Sequence, residues 1–339
     1  MSSIHHIGIV GEGKMGTNIF HYLSGFDLQL SWVCSEAADI GKLLRTFQKK
    51  IKRSLDAGIL TEARYNFLLE TTTISSDLAD LAACDLVIEA IPEELSMKQT
   101  LFMALDSVVK PGCILASNSS SINPSALIPS ENRKDRTIGL HFFYPVSLKN
   151  IVEFGFTDET SESCKSAISS FLRSIERHYL PMNEESAFIL NRIYLEVQVE
   201  AFHIVKEGKC TYRQMDELVK ESFSPAGIFE FFDSVGLDVM LASIRNYTAH
   251  HPEREKFSAL INSLEELVKE GKLGQKSGQG FYEYNASEEP DHEQPANPLS
   301  VEEINARLND ALGSAIDYFS SLSGLMVAEL TSSMTEYLG

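Results

Sequence analysis

The sequence predicts an α/β protein in which a doubly wound parallel sheet is followed by an all-helical domain. Short apolar segments of strand length alternate with helical segments as far as about residue 183, and only helical patterns follow them. The chain has 339 residues, of which 43% are hydrophobic, and is therefore long enough for two domains with separate cores. We expect a first domain at residues 1–183, a helical domain at residues 184–285, and a linker with a helical extension at residues 286–339.

The charge of the chain argues against two classes of partner. Its formal net charge is −19, whereas nucleic acids and anionic membranes bind proteins through a basic face. The sequence has no run of eighteen apolar residues, and it enters a predicted strand near its first residue without a cleavable signal. We therefore expect a cytoplasmic protein that binds neither nucleic acid nor membrane.

The five cysteines favour a reducing compartment over a disulfide framework or a metal centre. They stand at positions 34, 84, 113, 164 and 210, with no C-x-x-C spacing. The His5-His6 and His250-His251 pairs lack further ligands at a recognisable spacing. We expect free thiols and no metal.

A glycine-rich loop joins the first predicted strand, residues 7–10, to a helix over residues 17–23. Residues 11–16, Gly-Glu-Gly-Lys-Met-Gly, match the G-x-G-x-x-G fingerprint in the context that it requires. In that pattern the first glycine allows a tight turn, the second lets the backbone approach a pyrophosphate, and the third lets the helix pack closely. An ordinary glycine-rich turn is the alternative, but the context favours a Rossmann-type dinucleotide-binding domain. The candidate cofactor-binding residues of this loop are Gly11, Gly13, Lys14, Met15 and Gly16.

The end of the second predicted strand, residues 28–33, bears on the choice between NAD and NADP. In this fold an acid about twenty residues beyond the loop binds the ribose hydroxyls of NAD. Here the strand is followed by Cys34, Ser35 and Glu36. Because no arginine follows to receive a 2′-phosphate, we predict that Glu36 acts as this acid and that the cofactor is NAD. The alternative is that Cys34 leaves the preference between the two cofactors blurred.

Residues 37–70 are predicted to form two helices separated by a turn at residues 56–58. Their apolar residues recur at helical spacing and indicate a core-facing stripe. Residues 49–53 carry a basic cluster in an otherwise acidic protein. Such a cluster is usually a solvated face, but it would also attract an anionic coenzyme tail.

Polar side chains follow the next predicted strands at the points where those strands end. The strands cover residues 86–90 and 113–116, with a helix over residues 94–107 between them, as in a parallel sheet. Ligands of such sheets lie beyond the carboxyl ends of the strands. For Ser120 a polar loop without a role is the alternative. The side chains expected to converge at this edge are Glu93, Asn118, Ser120 and His141.

The segment around His141 and Glu153 places one imidazole and one carboxylate among apolar residues. Residues 137–141 are predicted to end one strand, Pro145 prevents its continuation, and residues 151–156 are predicted to form the next. We expect the two side chains to meet across the turn. A buried histidine held by a carboxylate is a tuned general base, whereas the alternative is a packed histidine with a surface glutamate.

The second half of the chain is predicted to be helical. The first helix carries apolar residues at core spacing, and Asn191 on it is not explained by packing. Residues 285–300 form an acidic, proline-containing linker, after which helices resume from Val301. The helices predicted before the linker cover residues 188–206, 212–221, 227–234, 239–249 and 257–269.

Several motifs recur in one order along the chain. In the first domain they are the glycine-rich loop, Ile88 to Glu93, Ala116 to Ser121, and Gly139 to Glu153; in the second they are residues 188–192, 227–230, 235–238 and 276–282. This set resembles the L-3-hydroxyacyl-CoA dehydrogenase family over about residues 4–284. The interval of twelve residues from His141 to Glu153 equals the interval that the family shows.

The resemblance implies NAD-dependent oxidation of an L-3-hydroxyacyl-CoA thioester to the 3-oxoacyl-CoA by hydride transfer. It makes His141 the general base and Glu153 its partner, and it makes Ser120 and Asn191 positioning residues for the substrate. Ser54 matches a coenzyme A contact. Because family members use the helical domain for dimer contact, a homodimer is implied. The residues placed near the nicotinamide nucleotide by the resemblance are Glu93, Lys98, Ser120 and Lys276.

Three positions depart from the family pattern. Tyr144, a candidate substrate residue, stands where the family has Asn, and Cys34 stands near the place of an acid. Ser186-Ala187 replaces Pro-Gly between the two domains. These departures leave two alternatives open: a related dehydrogenase of a small hydroxy acid, and a non-catalytic nucleotide-binding protein on the same fold. The presence of both His141 and Glu153 argues against the second.

Overall fold

The structure is a computed structural model that describes residues 4–183, 188–249, 251–284, 295 and 297–339. The chain divides into two compact units, Met1–Phe188 and Ile189–Gly339. The predicted linker at residues 285–300 lies mostly outside the described residues, as do Ser186-Ala187 and His250.

The first unit is built on one sheet, which has eight strands within the described residues. The strand order is β3-β2-β1-β4-β5-β6-β7-β8. Strands β1 to β6 run parallel to one another, β7 pairs antiparallel with β6, and β8 runs parallel to β7. The strands are β1 His6–Val10, β2 Gln29–Val33, β3 Thr72–Ser75, β4 Leu86–Glu89, β5 Ile114–Ser117, β6 Thr137–Phe142, β7 Ile151–Phe156 and β8 His178–Asn183.

Apolar side chains cover both faces of this sheet. Along β5, Ile114 and Ala116 belong to one buried cluster, while Cys113 and Leu115 belong to another. Because successive residues of a strand point to opposite faces, the two clusters lie on opposite sides, as a doubly wound sheet requires. The helices of this unit are α1 Lys14–Leu23, α2 Ile40–Asp56, α3 Glu62–Thr71, α4 Leu95–Val108 and α5 Glu162–Ser174.

The predicted sheet is confirmed for the six strands expected from the sequence, with boundaries shifted by a residue or two. Strands β3 and β8 and helix α5 were not predicted. The antiparallel direction of β7 agrees with the expectation that His141 and Glu153 meet across a turn, and it follows from a turn around Pro145 in place of a crossover helix.

The second unit is all-helical in its described part. Helix α6 forms its centre, with buried residues on every side from Ile193 to Ile204. Helix α11 begins with a capping box between Ser300 and Glu303 and packs along α6, burying Leu308 and other apolar residues. The helices are α6 Leu190–Lys206, α7 Tyr212–Ser222, α8 Ile228–Val235, α9 Leu237–Thr248, α10 Ser258–Lys269, α11 Val301–Ser323 and α12 Val327–Leu338.

The two helices beyond residue 300 belong to the same compact unit as α6. Arg307 on α11 donates to Glu200 at 2.5 Å and to Glu207 at 2.8 Å, both at the α6 side of the contact. The prediction that helices resume at Val301 is confirmed. No helix in the described part of the chain combines the length and apolar character needed to cross a bilayer.

Candidate active site

His141 and Glu153 lie directly opposite each other on strands β6 and β7. Directly opposed residues of an antiparallel pair point to the same face, which brings the ring and the carboxylate together. Nδ1 of His141 lies 2.8 Å from Oε2 of Glu153. Glu153 is fully buried and His141 is 6% exposed. The prediction that the two side chains meet is therefore confirmed, and the alternative of a surface glutamate is wrong.

Two aromatic rings pack against the imidazole of His141. The ring centroid of Phe143 lies 4.4 Å from that of His141, and the centroid of Phe188 lies 5.3 Å away, both edge-to-face. Asn118 at the end of β5 accepts the backbone N–H of Phe142 at 2.8 Å. These contacts fix the plane of the ring, so Nε2 is the nitrogen that is left for a ligand.

The serine run after β5 is folded around the carboxylate of Glu93. One oxygen, Oε1, accepts the Ser119 hydroxyl at 2.5 Å, the Ser120 N–H at 3.1 Å, and both the N–H and the hydroxyl of Ser121 at 3.1 and 2.8 Å. Burial raises the pKa of Glu93, but these bonds and the charge of Lys98 outweigh burial and leave the pKa below its usual value. Ser120 thus owes its backbone position to Glu93.

Lys98 is held inside the protein by a second carboxylate, that of Glu89, which was not predicted from the sequence as a site residue. Its Nζ lies 2.5 Å from Oε1 of Glu89, and both side chains are buried. The ammonium also donates to the carbonyl of Ile91 at 3.2 Å and lies 3.4 Å from Glu93. Ser117 donates to the other oxygen of Glu89 at 2.6 Å. The sequence signal for this pair would have been an acid at the end of β4 followed nine residues later by a lysine, but the pair was not predicted.

The glycine-rich loop has the geometry that its pattern predicts. Gly11 has a φ of 110°, and a Cβ atom there would lie 2.7 Å from the carbonyl oxygen of Ala90. A Cβ atom on Gly16 would lie 2.1 Å from the carbonyl oxygen of Gly11, whereas one on Gly13 would meet open space. Gly13 is the N-cap of α1 and offers no side chain to its first turn. The loop therefore presents backbone and a helix N-terminus to an anion such as a pyrophosphate.

The end of β2 differs from the expected arrangement. Cys34 packs in the core, and burial raises its pKa to about 12, with the charge of Glu12 acting in the same direction. Glu36 is exposed on the turn that follows. Between them, Ser35 donates both its backbone N–H and its hydroxyl to Glu12 of the glycine-rich loop. The structure thus places a second acid, Glu12, at the end of β2, where only Glu36 was predicted from the sequence.

Family models match both units of the chain. Residues 6–185 match the NAD-binding domain of 3-hydroxyacyl-CoA dehydrogenase, and residues 188–284 match the C-terminal domain of the same enzyme. The chain belongs to the 3-hydroxyacyl-CoA dehydrogenase family. The resemblance stated above is thereby confirmed.

Individual members of the family cover most of the chain. It is 34% identical over 280 residues to a probable 3-hydroxybutyryl-CoA dehydrogenase of Deinococcus radiodurans, covering 82% of this chain and 99% of the relative. It is 31% identical to the human mitochondrial hydroxyacyl-coenzyme A dehydrogenase, covering 83% and 91%. The crystal structure of (S)-3-hydroxybutyryl-CoA dehydrogenase from Ralstonia eutropha superposes with a TM-score of 0.73 at 31% identity, covering 84% of this chain and 100% of that one.

Membership of this family makes the protein an NAD-dependent oxidoreductase that acts on a CH–OH group. The predictions of NAD as cofactor and of a dehydrogenase are confirmed. The residues fit the cofactor, because the glycine-rich loop has the open cradle at Gly13 and the close packing at Gly11 and Gly16 that a dinucleotide fold needs.

Two of the positions that concern the family's substrate lie in the first unit. Tyr144 is 39% exposed, and its ring centroid lies 4.1 Å from Nζ of Lys14, so a substrate candidate contacts a cofactor-loop residue. The hydroxyl of Ser54 donates to the Lys50 carbonyl within its own helix α2 at 3.2 Å.

Two further family positions lie in the second unit. The side-chain amide of Asn191 donates to the hydroxyl of Tyr247 at 3.2 Å, and its carbonyl oxygen accepts the hydroxyl of Tyr337 at 3.1 Å. Lys276 pairs with Asp238 at 2.5 Å. These two hydrogen bonds explain the presence of a polar side chain at position 191, which the helical packing pattern of the sequence did not explain.

Proposed function

We propose that the protein oxidises an L-3-hydroxyacyl-CoA thioester to the 3-oxoacyl-CoA, with NAD as oxidant and His141 as general base. The observation that carries the proposal is the buried pair of His141 and Glu153, with Nδ1 and Oε2 at 2.8 Å. The names of the family relatives support the thioester as substrate.

In this mechanism Nε2 of His141 accepts the proton of the substrate hydroxyl. The glycine-rich loop would hold NAD, which when bound would supply the oxidant for the hydride of C3. In the neutral ring Nδ1 donates its proton to Oε2 of Glu153, which leaves Nε2 free to act as the base, and the same carboxylate stabilises the imidazolium that forms. The rings of Phe143 and Phe188 exclude water from the sides of the imidazole, so the proton stays on Nε2 until the ring releases it.

The remaining residues serve binding. The glycine-rich loop, with Lys14 and Met15, holds the cofactor diphosphate, and Glu93 holds the loop that carries Ser120 toward the reacting groups. Lys98 holds the carboxylates of Glu89 and Glu93 in position through its ion pairs with them. Lys276 near the nucleotide, Asn191 and Ser54 at the substrate, and Glu36 at the ribose stay predictions from the sequence.

We also propose that the protein is a homodimer of the cytoplasm. The dimer rests on the family resemblance. The compartment is supported by the five cysteines, which are all free and buried.

A free hydroxy acid is the second candidate substrate. It is favoured by Tyr144, which is 39% exposed and stands where the family pattern has Asn, and by Ser54, whose hydroxyl bonds within its own helix. Comparing NADH oxidation with acetoacetyl-CoA and with free 3-oxo acids separates the two candidates. Turnover of the thioester alone supports the first, and turnover of the free acid alone contradicts it.

The H141Q variant tests the catalytic assignment. We expect turnover to fall roughly a hundredfold or more, with NADH affinity and melting temperature nearly unchanged. H178Q, at an exposed histidine on β8 of the same unit, is the matched control. Folded H141Q protein with wild-type turnover would show that His141 is not the base.

A further inference from the structure

The end of β2 is where this chain departs from the usual way of binding NAD. In this fold an acid about twenty residues past the glycine-rich loop accepts hydrogen bonds from the ribose hydroxyls. Here Cys34 closes the strand, is 5% exposed and packs in the core. A neutral thiol offers the ribose hydroxyls no charged acceptor, so the acid has to come from another position.

Glu12, the second residue of the glycine-rich loop, places its carboxylate at this point. Its Oε2 accepts the Ser35 N–H at 3.0 Å, and its Oε1 accepts the Ser35 hydroxyl at 2.5 Å. The loop is itself fixed to β2, because the Gly11 N–H donates to the Val33 carbonyl at 2.9 Å and the Trp32 indole donates to the Gly11 carbonyl at 2.8 Å. The carboxylate is therefore held beside the end of the strand.

The Glu12 carboxylate is charged and keeps acceptor capacity. Burial raises its pKa, but the hydrogen bonds from Ser35 outweigh burial and leave the pKa below the usual glutamate value. The two oxygens offer about four lone-pair positions, and Ser35 occupies one on each oxygen. The positions that remain suit the two neighbouring hydroxyl donors of a ribose. A 2′-phosphate brings negative charge to the same place and would be repelled.

We propose that Glu12, from inside the glycine-rich loop, binds the adenosine ribose hydroxyls of NAD and excludes NADP, with Ser35 as the residue that positions it. Glu36, the acid predicted from the sequence, is exposed on the turn beyond. The proposal goes beyond the proposed function, because it concerns the cofactor alone and holds for any acyl or hydroxy-acid substrate.

Calorimetric titration of the full chain with NADH and NADPH tests this proposal. E12Q removes the charge with little change of shape, and E62Q removes the same charge at the exposed start of α3. We expect the ratio of the NADPH to the NADH dissociation constant to fall at least about tenfold in E12Q and to stay within about twofold in E62Q. The same fall in E36Q but not in E12Q would overturn the proposal.

A second ligand pair separates contact with the hydroxyl from a general effect on the loop. NADH and its analogue without the adenosine 2′-hydroxyl are titrated into the wild type and E12A. We expect the wild type to bind the analogue about tenfold more weakly and E12A to bind both ligands equally. If E12A binds both more weakly and the wild-type ratio persists, Glu12 only supports the loop and the proposal is wrong. These titrations involve neither His141 nor an acyl substrate, so they fail or succeed independently of the proposed function.

Discussion

Nδ1 of His141 lies 2.8 Å from Oε2 of Glu153 because the two residues are paired in register on antiparallel strands. Twelve residues separate them in the chain, and a turn around Pro145 closes that interval. A shift of the register by one residue would place the carboxylate on the opposite face of the sheet. The strand register is thus what makes the pair, and the pair is what supports the proposed base.

Glu153→Gln tests the contribution of the charge to this pair. Glutamine keeps the size of the side chain and a hydrogen-bond acceptor, but it cannot stabilise an imidazolium by charge. We expect turnover to fall by roughly a hundredfold, with NADH affinity unchanged. Steady-state kinetics and NADH titration on one preparation measure both. Glu159→Gln, at an exposed carboxylate beyond β7, is the control, and wild-type turnover in folded Glu153→Gln protein would contradict the mechanism.

The sequence predicted this pair because apolar runs of strand length and a proline between them are local signals. Strand β8 was missed for the opposite reason: His178–Asn183 alternates only weakly and contains Pro181, which an interior strand does not tolerate. The strand is possible because it lies at the edge of the sheet, and an edge is a property of the whole sheet. Strand β3, also at an edge, buries only Ile74 of its four residues and gives a similarly weak pattern.

The site shows the same division between local and long-range information. The glycine-rich loop was predicted because its backbone demands lie within six residues. The contact of Glu12 with Ser35 depends on β1 and β2 being neighbours, and side-chain partners of that kind leave no periodic signal. Tyr337 lies beyond residue 284, where the family model ends, so the resemblance said nothing about it.

Glu93→Ala should loosen the serine run that carries Ser120. The substitution removes the acceptor of two backbone N–H groups and two hydroxyls. We expect the amide hydrogens of Ser120 and Ser121 to exchange at least about tenfold faster, measured by hydrogen exchange with mass spectrometry. Glu94→Ala, at the exposed neighbouring carboxylate, should leave these rates unchanged. Equal protection in Glu93→Ala would mean that the run is held by other contacts.

The hydrogen bonds from the serine run to Glu93 also predict a dependence on pH. The pKa of Glu93 is lower in the folded protein than the ordinary value of a glutamate, because the bonds from the serines and the charge of Lys98 outweigh burial. A carboxylate whose pKa is lowered by folding stabilises the folded state at pH values above its pKa in the unfolded chain. This stabilisation is lost as the pH falls through its pKa in the folded protein. We therefore expect protection of the Ser121 amide to persist at pH 5 and to decline only below the ordinary glutamate range. Loss of protection between pH 7 and 5 would contradict the shift.

Asp233→Asn should cost stability rather than activity per folded molecule. The buried carboxylate of Asp233 accepts the N–H groups of Phe281 and Tyr282 at 3.0 Å each and the hydroxyl of Tyr284 at 2.9 Å. The NH2 group of an asparagine would face these N–H and O–H donors and leave at least one of them without an acceptor. We therefore expect a loss of about 2–4 kcal/mol in the free energy of unfolding. Urea denaturation measures it, with Glu265→Gln, at an exposed ion pair, as a control that should lose less than about 1 kcal/mol.

That outcome would give the family motif at residues 276–282 a structural reason. A Cβ atom on Gly280 would lie 2.0 Å from Oδ1 of Asp233, so the backbone approaches the carboxylate as closely as only glycine permits. A small change in stability together with a large loss of turnover would instead place Asp233 in the chemistry.

Tyr337→Phe tests whether the C-terminal helix α12 contributes to substrate binding through Asn191. The hydroxyl of Tyr337 donates to the side-chain carbonyl of Asn191 at 3.1 Å, while the amide of Asn191 donates to Tyr247. Phenylalanine keeps the ring contact with Tyr194 and removes only the hydroxyl.

A neutral hydrogen bond contributes about 1 kcal/mol, so if Asn191 binds the substrate, freeing one end of its amide should raise KM for the acyl thioester by roughly three- to tenfold. NADH affinity should not change. Tyr318→Phe on α11 serves as the control. It removes a tyrosine hydroxyl from the same unit, and the ring of Tyr318 contacts His251 and Phe319 rather than Asn191. A lower melting temperature with unchanged KM would show that Tyr337 only secures α12 to α6, since packing alone alters the fraction folded and leaves the kinetics of folded molecules as they were.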